Sequence, residues 1–128
     1  MSKEKLVQIR QMIQSRSGSV TRKPDRDAQR LLLYMFASTR GGFTRLRVVQ
    51  LLAERPMNIN QISTVMNLDY KAVQHHIASL ERNNLVTRIG ERYGVLFCLS
   101  TYLEANMTAL YCVVQNLERQ LNRKIVYL

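Results

Sequence analysis

The stretch Asp69-Tyr-Lys-Ala-Val-Gln-His-His-Ile-Ala-Ser-Leu-Glu-Arg-Asn-Asn-Leu-Val86 decides the fold. Val73, Ile77 and Leu80 stand at i, i+4 and i+7, so a helix gathers them on one apolar stripe. Tyr70, Lys71, Gln74, His75 and Ala78 fall on the opposite side, which is polar and free of carboxylates. Such a face suits a DNA major groove, where side chains meet base edges. A short apolar helix and a tight turn at Asn67-Leu68-Asp69 come before it, with Asp69 placed to cap the long helix. That is the order of a helix-turn-helix.

Within the polar face, Gln74 is the best reader of a base, because its amide donates and accepts together, as the N6/N7 edge of adenine requires. Tyr70 lies one turn away and reaches the same groove. Lys71 and His75 flank that line, with guanine and phosphate both open to them.

The whole chain fits a nucleic-acid partner. It carries 19 Lys+Arg against 9 Asp+Glu, a formal net charge of +10, and neutralising phosphates releases condensed counterions. At 128 residues it reads as one domain with an arm or an added helix. Charged residues interrupt every apolar run well short of a membrane span, so no membrane partner is expected. The start, Met-Ser-Lys-Glu-Lys, has no apolar signal stretch, and Cys98 and Cys112 fit a reducing cytoplasm as plain buried thiols.

Working outward from the helix-turn-helix, residues 1–24 are basic, with Leu6, Ile9 and Ile13 spaced for a short helix that Ser15-Arg-Ser-Gly-Ser19 breaks. A docking helix, an arm along phosphates and a loose terminus all remain open for it. Pro24-Asp25 starts a helix whose run at 31–37 is apolar nearly all round and calls for burial on two sides, the second on another subunit. Gly41-Gly42 ends it. Thr44 then caps a helix over 45–54, with Leu46, Val49 and Leu52 or Ala53 inward and Arg45 and Arg47 outward. After Pro56, Asn58 or Asn60 caps the short helix of Ile62, Val65 and Met66.

Beyond Asn83-Asn84, residues 85–89 and 95–99 are rich in β-formers around a turn-prone Gly90-Glu-Arg-Tyr-Gly94. They predict a β-hairpin wing with Arg88 and Arg92 near its tip, for phosphate or minor groove. Thr101-Tyr-Leu-Glu104 matches a capping box. From there Leu103, Met107, Leu110, Val114, Leu117 and Leu121 follow at heptad spacing, which predicts a long dimerisation helix; the alternative is packing on the 31–37 helix within the chain, and the two are compatible. The expected fold is mainly α with a β-hairpin (α+β): a winged helix-turn-helix over 25–100, including its leading helix, and a C-terminal dimerisation helix over 101–128.

Val73-Gln-His-His-Ile-Ala-Ser-Leu80 with Asn84-Leu85-Val86, and Thr44-Arg-Leu-Arg-Val-Val-Gln-Leu-Leu52, resemble the recognition helix and first core helix of ArsR-type winged helix-turn-helix regulators, especially the archaeal branch. The resemblance covers about residues 43–100 and implies DNA binding as a homodimer and control of transcription. This chain departs from the metal-sensing members. Its Ile62-Ser-Thr-Val-Met66 has no Cys-x-Cys pair, and residues 101–128 contain neither His nor Asp. His75 and His76 project about 100° apart, which is no helical ligand pair; His76 fits the edge of the core instead.

The function expected is therefore a homodimeric, sequence-specific regulator on double-stranded DNA, with no metal and no cofactor. The alternative is a winged-helix adaptor in a transcription complex, since fold does not fix function. An enzyme is not expected, because the sequence carries no Gly-rich phosphate loop and no nucleophile–base spacing.

Overall fold

The computed structural model describes residues 3–17, 23–90 and 94–126. Among the described residues, seven α-helices and one hairpin follow in the order α1 (Lys3–Ser17), α2 (Arg26–Leu33), α3 (Gly42–Glu54), α4 (Ile59–Met66), α5 (Tyr70–Arg82), β1 (Val86–Ile89), β2 (Leu96–Leu99), α6 (Thr101–Ala105) and α7 (Met107–Val126). They divide into two compact units, one holding the chain up to Phe43 and from Asn106 onward, the other Thr44–Ala105.

In the helical unit, α1, α2 and the turn after it all pack on α7. Leu6, Ile9 and Ile13 of α1 are fully buried, each contributing about 1.5–3 kcal/mol by leaving water. Arg10 Nε binds Glu118 Oε1 of α7 at 2.8 Å beside them. The serines at 15 and 17 do not break α1 where the sequence suggests; Ser15 Oγ donates back to the Met12 carbonyl and the helix runs on to Ser17. Asp25 caps α2 by accepting from the Ala28 amide at 2.9 Å.

The apolar run that follows does not continue as an α-helix. Residues Tyr34–Ser38 widen into a π-helical turn, ended by Thr39 Oγ1 on the Tyr34 carbonyl at 2.8 Å. This turn buries Met35 and Phe36 and leaves Leu33 and Tyr34 at the surface, 36% and 58% exposed. The next helix begins at Gly42, not after Thr44. A Cβ at Gly42 would sit 2.4 Å from the Phe36 carbonyl oxygen, so only glycine lets the start of α3 come this close to the π turn.

The expected C-terminal heptad row is interrupted at Asn106, and α7 alone is 20 residues long. Leu103 lies in α6 of the other unit. Met107, Leu110, Val114 and Leu117 are buried within this single chain, and Leu121 is half-buried. The periodicity marks a buried stripe, and α1, α2 and the π turn supply cover for it.

The second unit is the winged helix-turn-helix. Asn58 caps α4 through a reciprocal box: its side chain accepts from the Gln61 amide at 2.7 Å and its amide donates to Gln61 Oε1 at 2.9 Å. Ile62 and Met66 turn inward, but Val65 is 53% exposed. Asn67 takes the left-handed conformation (φ 52°) that closes α4, and the Leu68 amide returns to the Ser63 carbonyl. Asp69 occupies the N-cap of α5 but makes no capping hydrogen bond. β1 and β2 pair antiparallel, Val86 with Leu99, Thr87 with Cys98, Arg88 with Phe97 and Ile89 with Leu96. Met57 joins as a third piece, exchanging both backbone bonds with Phe97 at 3.1 and 2.8 Å. The cap of α6 is Ser100 and not Thr101: its Oγ accepts from the Leu103 amide at 3.0 Å and donates to the Asn84 carbonyl at 2.7 Å.

Candidate nucleic-acid interface

The recognition helix α5 sits on α4 and β1 through the stripe the sequence predicts: Val73, Ile77 and Leu80 are at most 2% exposed. That anchoring leaves Tyr70, Lys71, Gln74 and His75 at the surface. Tyr70 and Gln74 line a cleft of about 380 Å³ together with Asn58, Asn60, Arg88 and Phe97. The cleft joins the start of α4, the outer face of α5 and the wing. Its walls offer amides, a phenol and a guanidinium, which are donors and acceptors suited to base edges and phosphate oxygens.

Arg88 does not stand free at a hairpin tip. It is the third residue of β1, and its guanidinium carbon lies 5.6 Å from the ring centre of its cross-strand partner Phe97. Arg88 Nε and Nη2 donate to the two carboxylate oxygens of Glu81 at 2.7 and 2.9 Å. These hydrogen bonds hold the Glu81 carboxyl below the usual carboxylate range. Glu81 escapes a sequence reading centred on the face at 70–78. The signal available was a carboxylate in the last turn of a helix seven residues before a strand arginine. Arg92, the other wing arginine singled out by sequence, lies outside the described residues.

Arg45 faces inward, contrary to expectation, and is 5% exposed. Its Nη1 approaches Nδ1 of His76 at 3.5 Å. Burial, then the charge of Arg45, then His75, push the His76 imidazole below its ordinary value. His76 is half-buried, at the edge of the core as its position on α5 suggests. Cys98 and Cys112 are free thiols and only half-buried. Among the described residues no group of three or more His, Cys, Asp or Glu is placed to hold a metal ion. No helix among them is long and apolar enough to cross a membrane.

Residues 43–88, from the start of α3 into β1, match the family model described as bacterial regulatory protein, arsR family. That stretch is therefore similar to the ArsR-type helix-turn-helix, and the match spans about a third of the chain. Solved structures share the fold. Reduced HlyU from Vibrio cholerae is 24% identical, with a TM-score of 0.51 over 68% of this chain and 90% of that one. Wild-type MarR in its apo form from E. coli is 18% identical, with a TM-score of 0.55 over 77% of this chain and 76% of that one. A MarR family protein from Bacillus stearothermophilus is 19% identical, with a TM-score of 0.50 over 98% of this chain and 82% of that one. No curated protein matches the sequence.

Proposed function

We propose that this protein is a sequence-specific regulator of transcription that binds double-stranded DNA as a homodimer in the cytoplasm. The observation that carries the reading is the cleft where the carboxylate-free face of α5 meets the wing, with Gln74 and Arg88 on its walls. The ArsR-type motif and the net charge of +10 support it. Tyr70, Lys71, Gln74 and His75 enter the major groove, and the wing, with Arg88 and Arg92, lies along the flanking duplex.

The homodimer forms through the helical unit. The buried row of Met107, Leu110, Val114 and Leu117 stiffens α7, while the exposed apolar Leu33 and Tyr34 give a partner copy something to cover. Replacing both with Asp leaves the core intact and should yield a monomer by light scattering. A wild-type chain that is monomeric at tens of micromolar refutes the dimer.

Selection from a random duplex library at physiological salt tests the function. The expected product is a palindrome with half-sites about 34 Å, one DNA turn, apart. A library recovered without enrichment refutes sequence-specific regulation.

A further inference from the structure

The geometry points to Glu81 as a positioning residue for DNA reading: by gripping one edge of the Arg88 guanidinium it makes Arg88 a directed donor in the cleft beside Gln74. The inference rests on the DNA-binding reading above and says what the wing arginine adds to it.

A guanidinium has five N–H donors and two usable forks. Glu81 takes the fork made by Nε and one hydrogen of Nη2. That pairing leaves the second fork, made by Nη1 and the other Nη2 hydrogen, on a residue that lines the cleft. Three constraints fix the group: the β1–β2 register, the Phe97 ring beneath it and the carboxylate beside it. A long side chain that is already ordered gives up less freedom when it meets its partner.

Charge alone does not account for a carboxylate in this place. The pair is open to water, with side chains 58% and 31% exposed, and exposed ion pairs add little stability. Glu81 also cancels the positive charge that would attract phosphate, so by simple electrostatics it opposes binding. What it supplies is direction. Arg88 then contributes preference for one duplex over another, more than loose attraction for every duplex.

The two explanations predict opposite signs, which makes the test sharp. Fluorescence anisotropy would compare a duplex selected by the wild-type protein with a shuffled duplex of the same composition. Glu81→Gln keeps the side-chain size and removes the charge. The expected result is a fall of about tenfold in the ratio of specific to non-specific affinity, with affinity for the shuffled duplex equal to wild type or higher. Arg88→Lys, which keeps the charge and loses the fork, should lower the ratio alike. In an Arg88→Ala background, Glu81→Gln should change nothing further, as one residue acting through the other requires. Because the pair is exposed, each variant should melt near wild type by circular dichroism.

If Glu81→Gln tightens binding to both duplexes equally, Glu81 is only a repelling charge and the inference is overturned. A loss that persists in full without Arg88 overturns it as well. Failure of the DNA-binding reading itself looks different: the wild-type protein then selects no duplex at all.

Discussion

Gly42→Ala puts a methyl group where the start of α3 meets the π turn. Its Cβ would lie 2.4 Å from the Phe36 carbonyl oxygen, 2.7 Å from the carbonyl carbon and 3.1 Å from Cα. All three are backbone atoms, so no side chain can rotate away, and comfortable carbon contacts need about 3.5–4.0 Å. Relief requires the helix start to back off by roughly 1 Å, which strains the Gly42 amide bond to the Thr39 carbonyl at 3.1 Å. Overpacking of this kind costs about 1–3 kcal/mol, and a weakened hydrogen bond adds up to about 1. Against this, alanine gains at most about 1 kcal/mol over glycine in a helix. The net expectation is a loss of about 1–3 kcal/mol. Urea denaturation followed by circular dichroism should show the midpoint falling by roughly 1 M for an m-value of about 1–3 kcal/mol/M. A midpoint at or above that of wild type would refute the steric argument.

Gln74→Ala should weaken binding to the selected duplex by about 1–3 kcal/mol and relax preference at one base pair, with non-specific affinity unchanged; a repeat selection that returns the wild-type sequence contradicts base reading by Gln74. His76 supplies a pH signature. Its folded-state value lies below the ordinary 6.5, so the unfolded chain binds the proton first and stability falls as pH drops through and below about 6.5. Melting curves from pH 8 to 5 should show this slope, and His76→Gln should flatten it; an equal slope in the variant removes His76 as its source. Leu110→Ala in the helical unit should lose about 2–5 kcal/mol, because Leu110 is fully buried. A loss below 1 kcal/mol in urea denaturation would mean that the row at 107–117 is not core.

The recognition helix was legible because its period is local. Val73, Ile77 and Leu80 can face one way only if the residues between them turn outward. The hairpin was legible too, from β-formers on both sides of a glycine-bounded turn. What escaped depends on neighbours distant in sequence. A heptad row reports that one face is buried, and it cannot say whose side chains bury it; for Met107, Leu110, Val114 and Leu117 the cover lies in α1, α2 and the π turn of the same chain. The π turn is set by how the Phe36 backbone meets Gly42, and no spacing rule encodes that approach. Arg45 has the charge of a surface residue, yet packs inward toward His76, 31 positions along the chain. Arg88 was legible as a wing cation, but its grip by Glu81 appears only once the strand folds back along the recognition helix.

The small bridge between Met57 and Phe97 has a consequence for how the interface opens. A two-stranded hairpin alone is marginal in water. Here its inner strand is stitched by both backbone bonds to the residue just before the Asn58 cap of α4. Fraying the wing past Phe97 therefore means breaking those two bonds as well. The amides of Met57 and Phe97 should then exchange their hydrogens only in openings that release the wing and the entry to α4 together, as one cooperative block. On this argument the surface proposed to meet DNA should assemble and melt as a piece.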